Sequence, residues 1–394
     1  MAVGSTTQLT SETITGGQDW GNPALALGIT SHPVAEDLLK VEILPKKTYV
    51  EDVQFTMSAV VGPMICLFGV LGNVLSILTW RRPGMSSSTG RYLTGQGVAN
   101  ICFLLMFLLC DSLKYWLPRV VFSSVYGAVF SYFGFPIFYF SAMCSIWFTV
   151  GLTVDRYIMV CWITKAKKLC NESRATLGLV LISLSAFIIN MPHFASFTPI
   201  YHDSGGDNST SVQAAGVAFA PTTFTTGEGG QLYEFWVHCI FMILAPWTSI
   251  FFMNIMIIIK LSQANKRMAD KKTSHSLKKS KESENQITRL LLTVTFSFLV
   301  FMGLQCIVQC ILMKRPPGVD IMAITASYSF SITGVLLNCS MNVVLYCLSG
   351  RRFRVELLKM LGLVSKDMTM SSTTDTSSSH VSATSTTKLT TQGM

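Results

Sequence analysis

The chain has 394 residues, of which 50% are hydrophobic and only 13% are charged, and its formal net charge is +9. A soluble globular protein with this composition would precipitate, so the chain needs lipid as its solvent. The excess positive charge does not indicate a nucleic-acid-binding protein, because the Lys and Arg residues lie in alternate connecting loops rather than along one face or stripe.

Seven apolar stretches follow one another along the chain, and each is long enough to cross the hydrocarbon core of a bilayer, which takes about 20 residues. Lipid offers the backbone no hydrogen-bond partners, so each stretch is predicted to be a helix. The sequence therefore predicts an all-α fold, a seven-transmembrane helix bundle. The predicted spans one to seven are Met57–Trp80, Tyr92–Leu113, Val125–Val160, Ala175–Phe197, Phe235–Ile259, Ile287–Met313 and Ile321–Leu348.

The distribution of basic residues predicts the orientation of the bundle. The connections after spans one, three and five and the segment after span seven are rich in Lys and Arg, whereas Thr198–Leu232 contains neither. Basic residues are enriched on the cytoplasmic side of membrane helices. We therefore expect a multi-pass plasma-membrane protein with an extracellular N-terminus and a cytoplasmic C-terminus. Asn208, followed by Ser209-Thr210, is then an extracellular acceptor for N-glycosylation.

Four segments differ in composition. Basic residues alternate with Phe353 and Leu357 just after span seven, which is typical of a short amphipathic eighth helix at the membrane surface. The Ser/Thr-rich stretch after it is too poor in apolar residues to fold, and phosphates added there would form an acidic strip for a basic partner. The predicted segments are an extracellular polar N-terminal segment (1–52), the bundle (53–349), an amphipathic juxtamembrane helix (350–362) and a disordered cytoplasmic tail (363–394).

The eleven cysteines lie in or beside the predicted spans or in a cytoplasmic link, which is typical of small apolar packing residues. Cys110 and Cys310 both lie near outward helix ends. They form a candidate pair, although a sequence does not give the distance that a disulfide requires.

A set of residues at characteristic places carries a resemblance. It comprises Gly72-Asn73 in span one, Asp155-Arg156-Tyr157 at the end of span three, Pro246 in span five, and Asn342 with Tyr346 in span seven. With these residues in register, about 53–362 resembles a rhodopsin-like (class A) G-protein-coupled receptor. Asn254 and the end of span seven are similar to invertebrate neuropeptide receptors, including the FMRFamide type.

The resemblance implies roles for three sets of side chains. Arg156 is expected to pair with Glu284 at rest and to contact the G protein once that pair opens, a bistable packing switch. A connector would transmit repacking from the ligand to this switch, and a buried polar core would lie between them. The sets are Asp155, Arg156, Tyr157, Glu284, Asn342 and Tyr346 for the switch, Ile146, Pro246 and Phe298 for the connector, and Asn73, Asn100, Ser145 and Asn338 for the polar core.

The chain departs from the pattern of this family at several places. Asn100 stands where an acid is usual, so the polar core lacks the charge that attracts sodium. In span six, Phe301-Met302-Gly303-Leu304 replaces the usual Cys-Trp-x-Pro. Ser131 replaces the cysteine that anchors the second outward loop, and that loop contains no cysteine either. The sequence thus predicts that this loop is held more loosely than usual.

The ligand is constrained mainly by exclusion. Phe138 occupies the place of the aspartate that binds amines, and Leu336 the place of the lysine that binds retinal. An aromatic wall that includes Phe133 and Phe135, with scattered polar groups, suits a peptide. The predicted ligand-binding residues are Asp111, Lys114, Phe138, Tyr139, Glu234, His238, Gln305, Gln309 and Tyr328.

These observations predict a receptor that binds an extracellular ligand, a neuropeptide, and activates a heterotrimeric G protein. Its expected partners are arrestin and a receptor kinase through the Ser/Thr-rich tail, and membrane lipid, with no nucleic acid. The sequence shows no catalytic triad, nucleotide loop or metal-ligand spacing, so neither an enzyme nor a cofactor is expected. Two alternatives stay open, a seven-helix channel or transporter and a receptor-like scaffold that does not signal.

Overall fold

The computed structural model describes residues 49–200, 218–269, 292–308, 310–311 and 320–363. Within these residues six helices are long and apolar enough to cross a membrane, and span six is present as a shorter apolar helix, Leu292–Val308. The predicted helix bundle is therefore confirmed. The six long helices are Tyr49–Trp80, Ser88–Trp116, Ser124–Cys161, Glu172–Ala195, Glu228–Ala264 and Met322–Ser340.

Several helices begin at polar caps outside the apolar stretches, which is why their bounds differ from the predicted ones. Span two starts after Ser87, whose hydroxyl accepts a hydrogen bond from the Gly90 amide at 3.1 Å. Span four starts after Asn171, which caps the Arg174 amide at 2.9 Å, and span seven after Asp320, which caps the Met322 amide at 2.9 Å. Such side chains satisfy amides that have no partner within the helix.

Spans one, two, three and five each contain a π-helical segment, in which the backbone hydrogen bonds span five residues instead of four. These segments are Thr56–Val61, Leu108–Ser112, Phe130–Gly134 and Trp236–Leu244. The extra residue per turn changes the direction of the side chains that follow, and such segments are frequent at functional sites. The last one ends immediately before Ala245 and Pro246.

Close packing of span one against span seven depends on glycine. A Cβ atom on Gly69 would lie 2.2 Å from the Ser340 hydroxyl, and one on Gly72 would lie 2.7 Å from the side chain of Val343. Small residues allow membrane helices to approach in this way. The short distance between the backbones lets Asn73 reach across to span seven.

Span seven is interrupted at Met341, between the helices Ile321–Ser340 and Asn342–Ser349. Gly350 then separates it from the eighth helix, Arg351–Met360, which buries Phe353 and Leu357. The short amphipathic helix predicted from the sequence is thus present. Arg82 after span one pairs with Glu356 at 3.1 Å and ties this helix to the bundle.

The outward connection after span four forms a small antiparallel hairpin, which the all-α prediction did not include. Strand β1 (Phe197–Pro199) pairs with strand β2 (Phe219–Pro221), with Phe197 opposite Pro221. Helical turns flank it at Met191–Ala195 and Thr223–Thr226. Span four correspondingly ends at Ala195, before the predicted Phe197. We call β1 and β2 the outer hairpin.

Candidate functional site

A cavity of about 220 Å³ opens among spans one, two, three and seven at the end of the bundle that carries the outer hairpin. Ligand sites for drug-sized molecules typically measure about 300–1,000 Å³. The cavity therefore accommodates one end of a larger ligand. Its described lining comprises Gln54, Ser58, Phe107, Cys110, Asp111, Lys114, Tyr115, Phe130, Phe135, Phe138, Tyr139, Tyr328, Ser329 and Ile332.

The π-helical segments shape this cavity. Ser58 belongs to the segment in span one, Cys110 and Asp111 to the one in span two, and Phe130 to the one in span three. In a regular α-helix the extra residue would be absent and these side chains would be rotated away from their present directions. The backbone irregularity thus places both a carboxylate and an aromatic ring in the wall.

The polar part of the wall centres on an ion pair. Lys114 Nζ lies 2.9 Å from Asp111 Oδ1, and the two side chains are 40% and 32% exposed. The ammonium group also lies 5.0 Å from the centre of the Tyr115 ring, a cation–π contact. Solvent-exposed pairs of this kind contribute about 0–1 kcal/mol, so both charges remain accessible to a ligand that carries complementary groups.

The floor of the cavity is aromatic. Phe138 packs against Phe103, with ring centroids 4.9 Å apart, and edge-on against Tyr139 at 5.3 Å. Tyr139 in turn stacks on the fully buried His193 at 4.5 Å. Phe135 contacts both Tyr139 and His193. These contacts fix the rings that a ligand side chain would meet.

Five of the nine predicted ligand-binding residues line the cavity, namely Asp111, Lys114, Phe138, Tyr139 and Tyr328. Glu234 and Gln305 lie elsewhere, on spans five and six, and Gln305 accepts a hydrogen bond from the Ser331 hydroxyl at 2.5 Å. The side chain of His238 and the whole of Gln309 are outside the described residues. The expected place of Phe133 in the aromatic wall is wrong, because that ring is 61% exposed on the outer surface of the bundle.

Aromatic rings attach the outer hairpin to span three, where the family usually has a disulfide. Phe219 of β2 stacks on Phe130 with centroids 3.7 Å apart, and Phe197 of β1 meets Phe130 at 5.5 Å and Phe135 at 4.7 Å. We call these four residues the aromatic clasp. The prediction of a loosely held loop is therefore wrong for the hairpin itself, because ring packing replaces the covalent bond. Residues 201–217 and Asn208 lie outside the described part of the chain.

The polar core forms a continuous network between spans one, two, three and seven. Asn73 donates hydrogen bonds to the carbonyls of Gly69 and Cys339, at 2.8 and 2.9 Å. Asn100 donates to Asn73 Oδ1 at 3.2 Å and accepts from the Ser145 hydroxyl at 2.5 Å. These partners satisfy the polar groups that burial would otherwise leave unpaired.

Asn338 is the one predicted member of the polar core that stands apart. It is half-buried in span seven, and among the described residues it makes no hydrogen bond to Asn73, Asn100 or Ser145. Span seven contributes the backbone carbonyl of Cys339 to the network instead, which also accepts from Asn100 at 3.3 Å.

The three predicted connector residues, Ile146, Pro246 and Phe298, are all buried. Ile146 and Phe298 belong to one hydrophobic core cluster. Beside them the Trp247 indole of span five donates a hydrogen bond to the Leu299 carbonyl of span six at 3.0 Å. A Cβ on Gly303 would lie 3.5 Å from the same indole nitrogen. Span five thus supplies an aromatic ring beside the segment of span six that lacks the usual tryptophan.

At the opposite end of the bundle, Arg156 is buried and donates a hydrogen bond to Asp155 Oδ2 at 2.8 Å. The same nitrogen donates to the Thr89 hydroxyl of span two. Glu284, the expected partner in span six, is outside the described residues. A small void bounded by Arg156 separates it from Asn254, whose amide donates to the Thr295 hydroxyl of span six at 2.8 Å.

Tyr346 and Asn342 are buried near this end of span seven. The Tyr346 ring packs edge-on against Trp80 at 5.7 Å and against Phe353 at 5.3 Å. These contacts join spans one and seven to the eighth helix. Tyr157 faces another way and lies 6.1 Å from Trp162 at the end of span three.

All eleven cysteines fall within the described residues, and all are reduced thiols. The candidate pairing of Cys110 with Cys310 is wrong: Cys110 packs beside Gly134 of span three, whereas the sulfur of Cys310 lies 3.8 Å from that of Cys239 in span five. The sequence gave no signal for this second pair, because their separation depends on how spans five and six are rotated.

Comparison with known proteins identifies the family. Residues 72–346 match the model of the 7 transmembrane receptor (rhodopsin family), so the chain belongs to that family. It is a multi-pass membrane protein of a receptor family, and the prediction that it is not an enzyme is confirmed.

The curated relatives include receptors named for peptides. The chain is 24% identical to the FMRFamide receptor of Drosophila melanogaster over 77% of its own length, but over only 53% of that receptor. It is 23% identical to the sex peptide receptor-related protein 2 of Caenorhabditis elegans, with 80% of this chain and 74% of the relative covered. It is also 23% identical to the human growth hormone secretagogue receptor type 1, with 78% and 81% covered.

Proposed function

We propose that this protein is a cell-surface receptor that binds an extracellular peptide in the cavity among spans one, two, three and seven and activates a heterotrimeric G protein. The observation that carries the proposal is the composition of the cavity wall. It combines a broad aromatic surface with the accessible ion pair of Asp111 and Lys114. An aromatic side chain next to charged or polar groups fits this wall best, and peptides offer such combinations.

The orientation follows from charge. Arg82, Arg91 and Arg156 lie at the end of the bundle that carries the eighth helix, where Arg91 pairs with Glu172 at 2.9 Å and Arg82 with Glu356. The positive-inside rule assigns this end to the cytoplasm. The cavity and the outer hairpin then face the extracellular space, the N-terminus is outside and the C-terminus inside. Arg156 is thereby available to a cytosolic G protein.

The ligand class is a short peptide with aromatic and basic side chains. The name of the Drosophila relative spells Phe-Met-Arg-Phe-amide, and its matching region covers most of this chain. A guanidinium group on the ligand would displace Lys114 from Asp111, and Lys114 would then meet a carbonyl or carboxylate of the ligand. The exchange is inexpensive because the resting pair is partly exposed. Given the size of the cavity, the rest of the peptide would contact the outer hairpin.

Further partners follow from the same placement. The Ser/Thr-rich tail, outside the described residues, is proposed to bind arrestin after phosphorylation by a receptor kinase. Membrane lipid covers the apolar outer faces of the spans and the surface that the Arg351–Met360 helix meets. Asn208 is proposed to carry an N-linked glycan, since this loop lies outside in the proposed orientation.

The proposal is tested in cells that express the chain with a promiscuous G-protein reporter and receive FMRFamide and related amidated peptides. Asp111→Asn should raise the half-maximal peptide concentration about 10-fold, which corresponds to about 1.4 kcal/mol. Glu228→Gln, a matched neutralisation at the outer end of span five and away from the cavity, should leave it unchanged.

Two outcomes would overturn the proposal. A peptide-dependent current that needs no G protein would favour the channel. Normal surface expression without any peptide response or basal signal across the panel would favour the scaffold.

A further inference from the structure

Two thiols on neighbouring spans lie in contact at the outward half of the bundle. The sulfur of Cys239 in span five is 3.8 Å from the sulfur of Cys310 at the outward end of span six. A disulfide requires an S–S distance of about 2.05 Å, so each sulfur needs to move only about 1 Å. A rotation of either side chain supplies that movement without displacing a helix.

We propose that Cys239 and Cys310 form an oxidisable pair whose disulfide clamps span five to span six. Cys310 is partly exposed and near the outward helix end, whereas Cys239 is only 6% exposed. Cys310 is therefore the thiol that meets an oxidant first. In the proposed orientation this end of the bundle faces the extracellular space, where disulfides persist.

The oxidant is a low-molecular-weight disulfide such as oxidised glutathione. The thiolate of Cys310 attacks one glutathione sulfur, which forms a mixed disulfide and releases one glutathione thiolate. The thiolate of Cys239 then attacks the Cys310 sulfur and releases the second. Two protein thiols are oxidised to one disulfide, one glutathione disulfide is reduced to two thiols, and the two protons pass to those thiols.

A third thiol, Cys306, provides a matched control. It lies one helical turn before Cys310 and makes a hydrogen-bond contact with it. A bond between these two would stay within span six and would have to bridge a regular helical turn. Only the bond from Cys310 to Cys239 links two spans, so the products differ in whether they join separate parts of the chain.

The clamp would fix the resting arrangement of the two spans, and this step rests on the proposed function. Forming the bond requires almost no change from a structure in which Arg156 is paired with Asp155. The cytoplasmic half of span six, by contrast, has to move if the switch is to open. Oxidation should therefore lower the maximal response to peptide and leave the amount of receptor at the surface unchanged.

The test uses the full chain with a protease site inserted within residues 270–291 and a tag at each terminus. Membranes are treated with oxidised glutathione, cleaved, and run on a non-reducing gel. We expect the C-terminal tag to migrate with the N-terminal fragment, and the two to separate after reduction. Cys310→Ser and Cys239→Ser should abolish the linkage, while Cys306→Ser should retain it.

Absence of linked fragments, or a linkage that survives Cys310→Ser, would overturn the proposal. Since this assay needs no agonist, its failure is distinguishable from failure of the proposed function. Surface labelling of the tags shows that each variant folds. In the signalling assay, oxidation should reduce the maximal response of the wild type and not that of Cys310→Ser. Linked fragments with an unchanged response would overturn the clamp.

Discussion

Phe130 of span three stacks on Phe219 of the outer hairpin, with ring centroids 3.7 Å apart and ring planes 14° from parallel. The preceding turn of span three approaches the hairpin so closely that a Cβ on Gly127 would lie 2.0 Å from the Ala218 carbonyl oxygen. Phe130 also lines the cavity. The attachment of the hairpin and the shape of the cavity therefore depend on the same ring.

We expect Phe219→Ala to detach the hairpin from span three. The change removes a half-buried ring and its stacking contact, which together should cost about 2 kcal/mol. The measurement is the melting temperature of the purified receptor in detergent, together with the rate at which a protease cuts the outward loop. Phe296→Ala is the matched control, because that ring is 66% exposed on the outer surface of span six.

The same clasp predicts indifference to reductant. Because rings rather than a disulfide hold the hairpin, dithiothreitol should change neither the melting temperature nor surface expression of freshly reduced receptor. A fall of several degrees in dithiothreitol, or equal melting temperatures for the two Phe variants, would contradict the role given to the clasp.

Much of the bundle could be predicted from the sequence, because lipid restricts the backbone to helices and buried polar groups require partners. Asn73, Asn100 and Ser145 illustrate this: polar side chains on three apolar spans have few options other than one another. The π-helical segments carry no comparable signal. They change the rotation of a helix without changing its apolar pattern, so the place of Asp111 in the cavity wall could be anticipated only in part.

Features that depend on packing between distant segments were missed. The outer hairpin consists of two three-residue strands, too short for an alternating pattern to reveal. The replacement of the usual disulfide by Phe130 and Phe219 requires knowing which rings face each other. Phe133 differs from Phe130 and Phe135 only in its direction, which the π-helical segment around it determines.

Ser131→Ala should stabilise the protein slightly. Ser131 is fully buried, and within the described residues its hydroxyl has no hydrogen-bond partner. Removing an unpaired buried polar group should add about 1 kcal/mol to the free energy of unfolding. Ser141→Ala is the matched control and should lower it by a similar amount, since the Ser141 hydroxyl donates to the Phe138 carbonyl at 3.0 Å. Thermal unfolding of both variants checks the opposite signs, and a loss of stability for Ser131→Ala would contradict the argument.

Thr89→Val should raise basal signalling. The substitution keeps the shape of the side chain but removes the hydroxyl that accepts from Arg156. Hydrogen bonds to charged groups contribute about 1.5–3 kcal/mol, so the resting state should lose about a factor of 10 relative to the active one. Second-messenger levels without ligand, normalised to surface expression, measure the effect.

Thr94→Val is the control for that experiment. Thr94 lies on the same span and its hydroxyl donates only to the carbonyl of Gly90, one turn earlier, at 2.7 Å. It should leave basal signalling at the wild-type level. If Thr89→Val behaves like Thr94→Val, the contact between Arg156 and span two does not restrain the switch.

Asn73→Ala should destabilise the bundle far more than Asn338→Ala. The first removes two donated hydrogen bonds to buried carbonyls and leaves Asn100 without one of its acceptors, a loss of about 2–4 kcal/mol. The second removes a half-buried amide that, among the described residues, makes no bond to the network, and should cost less than about 1 kcal/mol. Melting temperatures of the two purified variants test this order, and equal losses would show that the network does not stabilise the fold.

Cys170 should resist alkylation at neutral and mildly alkaline pH. Burial, and then the carboxylate of Asp155, raise the pKa of the Cys170 thiol to about 12, and its sulfur donates to the Asp155 carbonyl at 3.5 Å. The thiolate is the reactive form, and an ordinary cysteine has a pKa of about 8.5, so at pH 8 its thiolate fraction should be lower by about three orders of magnitude. Because the folded pKa lies above the unfolded one, the folded protein holds this proton more tightly. The stability that results is complete below the unfolded pKa and is lost as the pH rises toward 12. Iodoacetamide labelling, followed by mass spectrometry of the Cys170 peptide with and without denaturant, measures the protection. Labelling as fast in the folded as in the denatured protein at pH 8 would show that Asp155 and its surroundings do not enclose this thiol.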